Sequence, residues 1–282
     1  MEGLNIDVKK EQNVLLLMKD VHEKYGYDFS QYALASLIRR VERIIQLEKV
    51  PTFAELRCKV LNDPLFFEYF LEEVTVNVTE MFRDPEFFRV LREKVIPLIS
   101  TYPVIRIWHA GCSSGEEAFS VAIILKEEGL LERSLIYATD LNQKVIEQAQ
   151  EGILPLDQMK AYTRNYIESG GINDFSDYYT ANYGRAIVKD YLKSRMVFSM
   201  HNLVSDQSFN EFNLIVCRNV LIYFKQDLQN HILKLFSQSL PHFGYLALGT
   251  KETIEYSDVH KDFEITDKPY RIYRKTSQND RL

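Results

Sequence analysis

Apolar residues recur at helical spacing from early in the chain. Val14, Leu17, Met18, Val21 and Tyr25 fall on one face, and Gly26 ends the run. Ser30 is placed to cap a second helix that buries Leu34, Leu37, Ile38 and Val41. Thr52-Phe53-Ala54-Glu55 has capping-box spacing and opens a third. Asp63-Pro64 reads as an N-cap followed by a first-turn proline and opens a fourth. Residues 1–75 therefore read as an all-α domain. Asp84-Pro85 repeats the cap-proline signal and predicts a helix over 85–98, leaving 76–84 as a linker before it.

From Val104 the period changes. Val104 to Trp108 is a short apolar run, a buried-strand pattern, followed by a glycine-containing turn and a helical pattern over 116–128. Leu135 to Ala138 is a second strand, and 143–150 a second helix. Further strands are predicted at 196–199, 213–217 and 245–248, with a long amphipathic helix over 226–240 between the last two. Runs at 263–266 and 270–274 form a hairpin around Asp267-Lys268-Pro269. Strands alternating with helices indicate an α/β domain over 76–282 with a largely parallel sheet. The segment 155–195 breaks the alternation: it carries six tyrosines, the Gly170-Gly171 pair and no clear helical period. It reads as an inserted, β-rich segment.

Composition narrows the class. The 282 residues are 46% hydrophobic and 26% charged, with 17 Phe and 17 Tyr, enough to build a sizeable core. A formal net charge of -6 argues against a general nucleic-acid binder. Cys58, Cys112 and Cys217 lack metal-ligand spacing and suit reduced thiols. No stretch approaches the roughly 20 apolar residues of a membrane span, so no direct membrane insertion is expected. The first dozen residues are polar and lack a signal-peptide core, which makes the cytoplasm the expected location.

The turn Ala110-Gly111-Cys112-Ser113-Ser114-Gly115-Glu116-Glu117 follows a strand and opens a helix, the setting of a nucleotide-binding turn. In a dinucleotide fold that helix start holds a pyrophosphate. Two carboxylates in the first turn repel phosphate and suit a cationic ligand without one. S-adenosylmethionine, with an ammonium and a sulfonium, fits that description. Asp140 ends the second strand, 25 residues after Gly115, where an acid accepts hydrogen bonds from ribose hydroxyls. Each acid also has a plainer reading: Glu116 and Glu117 favour the helix dipole, and Asp140 caps the next helix.

Five blocks carry a family resemblance. They are Asn77-Val78-Thr79-Glu80-Met81-Phe82-Arg83, the 111–117 turn, Ala138-Thr139-Asp140, Asn202-Leu203, and Cys217-Arg218-Asn219-Val220-Leu221-Ile222-Tyr223-Phe224. In this order and at these separations they resemble the CheR-type chemotaxis receptor methyltransferases, over essentially the whole chain. The resemblance implies a Rossmann-like S-adenosylmethionine-dependent methyltransferase domain behind an all-α N-terminal domain. It further implies transfer of methyl to glutamate carboxylates of methyl-accepting chemotaxis receptors, leaving S-adenosylhomocysteine. Asn77, Thr79 and Arg83 match linker residues that fold over the cofactor. Glu116 and Asp140 match its methionine-side and ribose contacts, Asn202 and Leu203 the pair flanking adenine, and Asn219 and Val220 contacts after the fourth strand. Arg83 and Tyr223 are the candidates for lining the acceptor site.

A glutamate carboxylate is already ionised at neutral pH, so methyl transfer needs no general base and no metal. Alignment and electrostatics around the reacting centre suffice. Arg39, Arg40 and Arg43 share a helix face and suit the acidic helical bundle of a receptor, a docking mode the resemblance also implies. Family members that grip a receptor C-terminal pentapeptide carry a glycine-spaced loop with a following arginine. Gly170-Gly171 and the distant Gly184-Arg185 match it poorly, so the insertion is expected not to bind that peptide. Two other classes compete: a NAD- or FAD-binding oxidoreductase, disfavoured by the glutamate pair and the incomplete Gly-x-Gly-x-x-Gly, and a cofactor-binding regulatory module without activity.

Overall fold

The computed structural model describes residues 2–75, 79–182 and 184–276. The chain divides into two units, each with its own interior. The first contains four helices, α1 (Glu2–Tyr25), α2 (Leu34–Leu47), α3 (Phe53–Asn62) and α4 (Pro64–Thr75), together with Tyr223–Gln229. Val14, Leu17, Met18 and Val21 of α1 are buried, with Leu37, Val41 and Ile44 of α2. Gly26 takes the left-handed conformation (φ 81°) that ends α1. Thr52 caps α3 by accepting the Glu55 N–H, and Asp63 Oδ1 accepts the Leu65 and Phe66 N–H groups at the start of α4. Ser30 does not cap α2: Ala33 occupies that position without a side-chain bond. The segment before α2 is held instead by Tyr223–Lys225. The Ala33 N–H donates to the Tyr223 carbonyl, the Lys225 N–H to Gln31, and the Tyr32 and Phe224 rings meet edge to face.

The second unit opens with α5 (Pro85–Val90), which runs through a π-helical turn (Leu91–Val95) into α6 (Ile96–Ile99). A mixed sheet follows, built by β1 (Ile105–Ala110), β2 (Ser134–Asp140), β6 (Met196–Met200), β7 (Leu214–Cys217), β8 (Tyr245–Leu248), β9 (Phe263–Asp267) and β10 (Ile272–Lys275). Its order is β6-β2-β1-β7-β8-β10-β9, parallel through β8 and antiparallel at β10 and β9. Helices α7 (Glu116–Glu127), α8 (Gln143–Glu151) and α11 (Gln226–Gln238) connect the strands. This is the Rossmann-like order, and β1, β7 and β8 are buried almost throughout, as strands covered on both faces must be. The buried Trp108 ring packs on Phe212 and Phe236 and donates its Nε1–H to Thr139 Oγ1 at 2.8 Å.

The insertion between α8 and β6 is only partly β. Strands β3 (Ile153–Pro155), β4 (Tyr179–Asn182) and β5 (Arg185–Val188) form a small antiparallel sheet in the order β3-β5-β4. The segment also contains α9 (Met159–Glu168) and α10 (Asp190–Lys193), a correction to the absence of helical period. In α9 the buried face is Met159, Tyr162, Asn165 and Tyr166, so tyrosines and an asparagine stand where a simple apolar period is sought. The insertion is pinned by one carboxylate. Glu127, at the end of α7, accepts from the Tyr166 and Tyr178 hydroxyls and the Ile172 N–H, and pairs with Arg92.

Gly171 fits under this network because it lacks a side chain: a Cβ there would lie 2.2 Å from the Tyr166 ring. The ring is held at its hydroxyl and cannot swing away freely. Gly171→Ala is therefore expected to lower stability by about 1–3 kcal/mol, the usual cost of overpacking, measured by chemical denaturation. A wild-type midpoint would contradict this packing.

Candidate functional site

The carboxyl ends of the parallel strands gather most of the sequence-derived candidates. Gly111 and Gly115 have φ of 82° and 95°, and Ser113 between them is also left-handed at 50°. A Cβ on Gly111 would meet Val220 Cγ2 at 2.5 Å, and one on Gly115 the Phe119 ring at 2.9 Å. The two glycines thus permit both the turn and its close packing.

Asp140, at the end of β2, ties this turn to its own loop. Its Oδ2 accepts the Ser113 N–H at 2.9 Å and its Oδ1 the Asn142 N–H at 3.1 Å. Burial raises its pKa, against the pull of these N–H groups. Two bonds leave a carboxylate with further acceptor capacity, so a diol remains a fitting partner. Glu116 is buried in the first turn of α7, with Ser114 Oγ donating to its Oε2 at 2.7 Å. Burial likewise raises its pKa. A buried acid with acceptor capacity left fits a cation.

Glu117 does not share that task. Its Oε2 takes the Arg218 Nη1–H at 2.9 Å, and its Oε1 lies 3.3 Å from His109 Nδ1. Burial opposes its ionisation, but His109 and Arg218 outweigh it, and its pKa is lowered. The structure thus corrects the paired-acid picture: Glu117 is engaged by Arg218 and His109, whereas Glu116 is buried against the Ser114 hydroxyl.

On the other side of β1, Asn219 stands at the end of β7 with φ 61°. The loop it opens is organised by Glu252, which accepts the Gly249, Asn219, Val220 and Ile222 N–H groups at 2.6, 3.0, 2.9 and 3.3 Å. Val220 fills the space left by Gly111. Asn202 and Leu203 follow β6, whose neighbour His201 donates its N–H to the Asp140 carbonyl. Asn202 forms an Asx turn, its Oδ1 accepting the Val204 N–H at 2.9 Å. Leu203 is buried.

Arg83 reaches the same end of the sheet through its backbone, its carbonyl accepting from Arg218 Nη1 at 3.3 Å. Asp84 occupies the N-cap position that its place before Pro85 suggests, but it is left-handed (φ 59°), its side chain makes no capping bond, and it pairs with Arg218 at 2.6 Å. Thr79 is half-buried in the loop before it, and Asn77 lies outside the described residues. Tyr223 belongs to the helical unit, as do Arg39, Arg40 and Arg43. Arg39 and Arg43 are exposed and Arg40 is half-buried; Arg43 pairs with Glu73 at 3.3 Å. Glu42, the obvious intrahelical partner, is taken by Lys10 at 2.7 Å.

Sequence reasoning passed over Arg218, Glu252, Ser114 and Ser120. Arg218 had a readable signal, a cation directly after a four-residue buried strand. Glu252 had none, since only the fold brings it under Asn219–Ile222. Among the described residues no His, Cys, Asp and Glu cluster suited to a metal occurs.

Replacing one Glu252 oxygen by an amide sets a donor against N–H donors. Glu252→Gln should cost roughly 2–3 kcal/mol, the scale of charge-assisted bonds left unmade, read by denaturation. Unchanged stability would mean the loop holds its shape without the carboxylate.

Comparison with known proteins places this arrangement. The family description "CheR methyltransferase, SAM binding domain" matches residues 77–272, and "CheR methyltransferase, all-alpha domain" matches 13–75. A Pseudomonas putida protein provisionally named methyltransferase Cher3 is 46% identical over 263 residues, covering 93% of this chain and 96% of its own. Proteins named chemotaxis protein methyltransferase from Borreliella burgdorferi and Listeria innocua are 31% and 32% identical. They cover 89% and 86% of this chain and 91% of each of their own. The second unit is thus an S-adenosylmethionine-binding methyltransferase domain behind an all-α one, and the chain belongs to the CheR methyltransferase family.

Proposed function

We propose that this protein transfers the methyl group of S-adenosylmethionine to glutamate side chains of methyl-accepting chemotaxis receptors in the cytoplasm, forming glutamyl methyl esters. The observation that carries the reading is the buried Glu116 in the first turn of α7, with Asp140 beside the same glycine turn. A phosphate-bearing cofactor is disfavoured there, which argues against an oxidoreductase. Names of relatives support the chemotaxis context. No helix among the described residues is long and apolar enough to cross a membrane, consistent with a partner that reaches receptors from outside the bilayer.

In this reading residues 1–75 dock on the receptor and 76–282 hold the chemistry, with 76–84 closing over the cofactor. Glu116 pairs with the ligand ammonium and Asp140 accepts the ribose hydroxyls. Asn202 and Leu203 flank the adenine, and Asn77, Thr79, Asn219 and Val220 complete the cofactor contacts. When bound, S-adenosylmethionine supplies an electrophilic sulfonium methyl. Arg83 and Tyr223 orient the acceptor carboxylate, which is ionised at neutral pH and needs no base. Arg39, Arg40 and Arg43 meet the acidic receptor helices.

The direct test is transfer of labelled methyl to receptor-containing membranes, followed by mapping of the modified residue. A glutamyl ester is expected; label elsewhere, or none, overturns the assignment. Charge reversal of Arg39 and Arg43 should slow that transfer while S-adenosylhomocysteine affinity stays intact, and added salt should slow the wild type. Equal turnover would remove the docking role.

Cofactor binding carries its own prediction. Asp140→Ala should weaken S-adenosylhomocysteine binding by about 1.5–3 kcal/mol in a folded protein. The ligand ammonium needs Glu116 ionised, and burial holds that carboxyl above its ordinary range. Affinity should therefore fall as pH drops through the raised value and level off above it, and Glu116→Gln should flatten the Glu116 component. Calorimetric titration across pH reads both effects.

A further inference from the structure

Phe82 and Asp84 both hold left-handed backbone, at φ 51° and 59°, on either side of Arg83. Residues with side chains stay in that region only where their surroundings impose it. On the first side the imposing contacts are clear: the Phe82 N–H donates to Ser120 Oγ at 2.9 Å, and its ring packs among Phe88, Tyr166 and Phe175. On the second side the Phe87 N–H donates to the Asp84 carbonyl at 2.8 Å, and the side-chain contact is with the Arg218 guanidinium. Its Nη2 donates to Asp84 Oδ2 at 2.6 Å, and its Nη1 to the Arg83 carbonyl at 3.3 Å and to Glu117 Oε2 at 2.9 Å. It lies 4.0 Å from the Phe87 ring centroid, and its side chain is 1% exposed.

We propose that Arg218 is the positioning residue for Arg83: its buried guanidinium locks the left-handed turn at Asp84 to the glycine-turn helix through Glu117, and so fixes where the Arg83 side chain points. This rests on reading Arg83 as a cofactor and acceptor-side contact. The chemistry requires arginine. A planar fork serves three acceptors at fixed angles, whereas a lysine ammonium on a flexible stem does not. Glu117 and Asp84 balance the buried cation, and the 2.6 Å bond to Asp84 aligns the very residue that follows Arg83.

The test compares Asp84→Asn, Arg218→Lys and the double variant in the full chain. Asp84 is 46% exposed at its side chain, so its amide is expected to fold. Both single variants should lower kcat for receptor methylation by about tenfold or more, with receptor KM within about twofold of wild type and thermal midpoints little changed for Asp84→Asn. The double variant should be no slower than the slower single, because both break one linkage. Wild-type kcat in Asp84→Asn, or additive losses, would overturn the proposal, whether or not Arg218→Lys folds. If the wild type methylates no receptor, the proposed function fails first. The inference is then read from S-adenosylhomocysteine affinity, where Asp84→Asn and Arg83→Ala should weaken binding by similar factors. Wild-type affinity in either variant overturns it.

Discussion

Where parallel strands end, the chain leaves the sheet and its N–H groups lose their ladder partners. In a buried position each such group must find another acceptor. This protein meets that constraint with carboxylates from its own chain. Asp140 takes the N–H groups of Ser113 and Asn142, and Glu252 takes those of Gly249, Asn219, Val220 and Ile222. The shape of the glycine turn and of the loop after β7 depends on these two acids. A ligand arriving at the strand ends meets loops already held, which lowers the ordering cost of binding.

Charge at this end of the sheet is distributed unevenly. Glu117 pairs with Arg218 and lies against His109, Asp84 pairs with the same Arg218, and Glu116 accepts from the Ser114 hydroxyl. One turn of helix thus holds adjacent acids that burial pushes the same way but whose net shifts differ: Glu116 is raised, while His109 and Arg218 bring Glu117 below its ordinary value. Pairing Glu117 with Arg218 avoids leaving that buried charge uncompensated.

Much of this was legible in the sequence, because periodicity and motif order carry it. The four N-terminal helices, the alternation after Val104 and the closing hairpin follow from apolar spacing and cap signals, although α1 begins at Glu2, well before its apolar period, and α2 is capped at Ala33 instead of Ser30. Asp63 caps as its proline suggests; Asp84, with the same signature, also stands at the N-cap, but its side chain is drawn to Arg218 instead of to the helix N–H groups. Helix α9 escaped notice because its buried face is tyrosine and asparagine rather than aliphatic. Asp140 and Glu116 were visible from strand-turn-helix context. Glu252 was not, since its partners lie some thirty residues away and meet it only once β7 and β8 pair. Long-range polar satisfaction leaves no period in a sequence.

Cys112 sits inside the glycine turn, buried, with its thiol 3.5 Å from the Ser113 carbonyl. Burial and then the neighbouring Asp140, Glu116 and Glu117 push its pKa well up; Cys217 is raised by burial and by Glu252 and Glu117. Sulfur attacks alkylating centres as thiolate, not as thiol. Burial first, and then the neighbouring acids, thus favour the thiol over the nucleophilic thiolate inside the glycine turn.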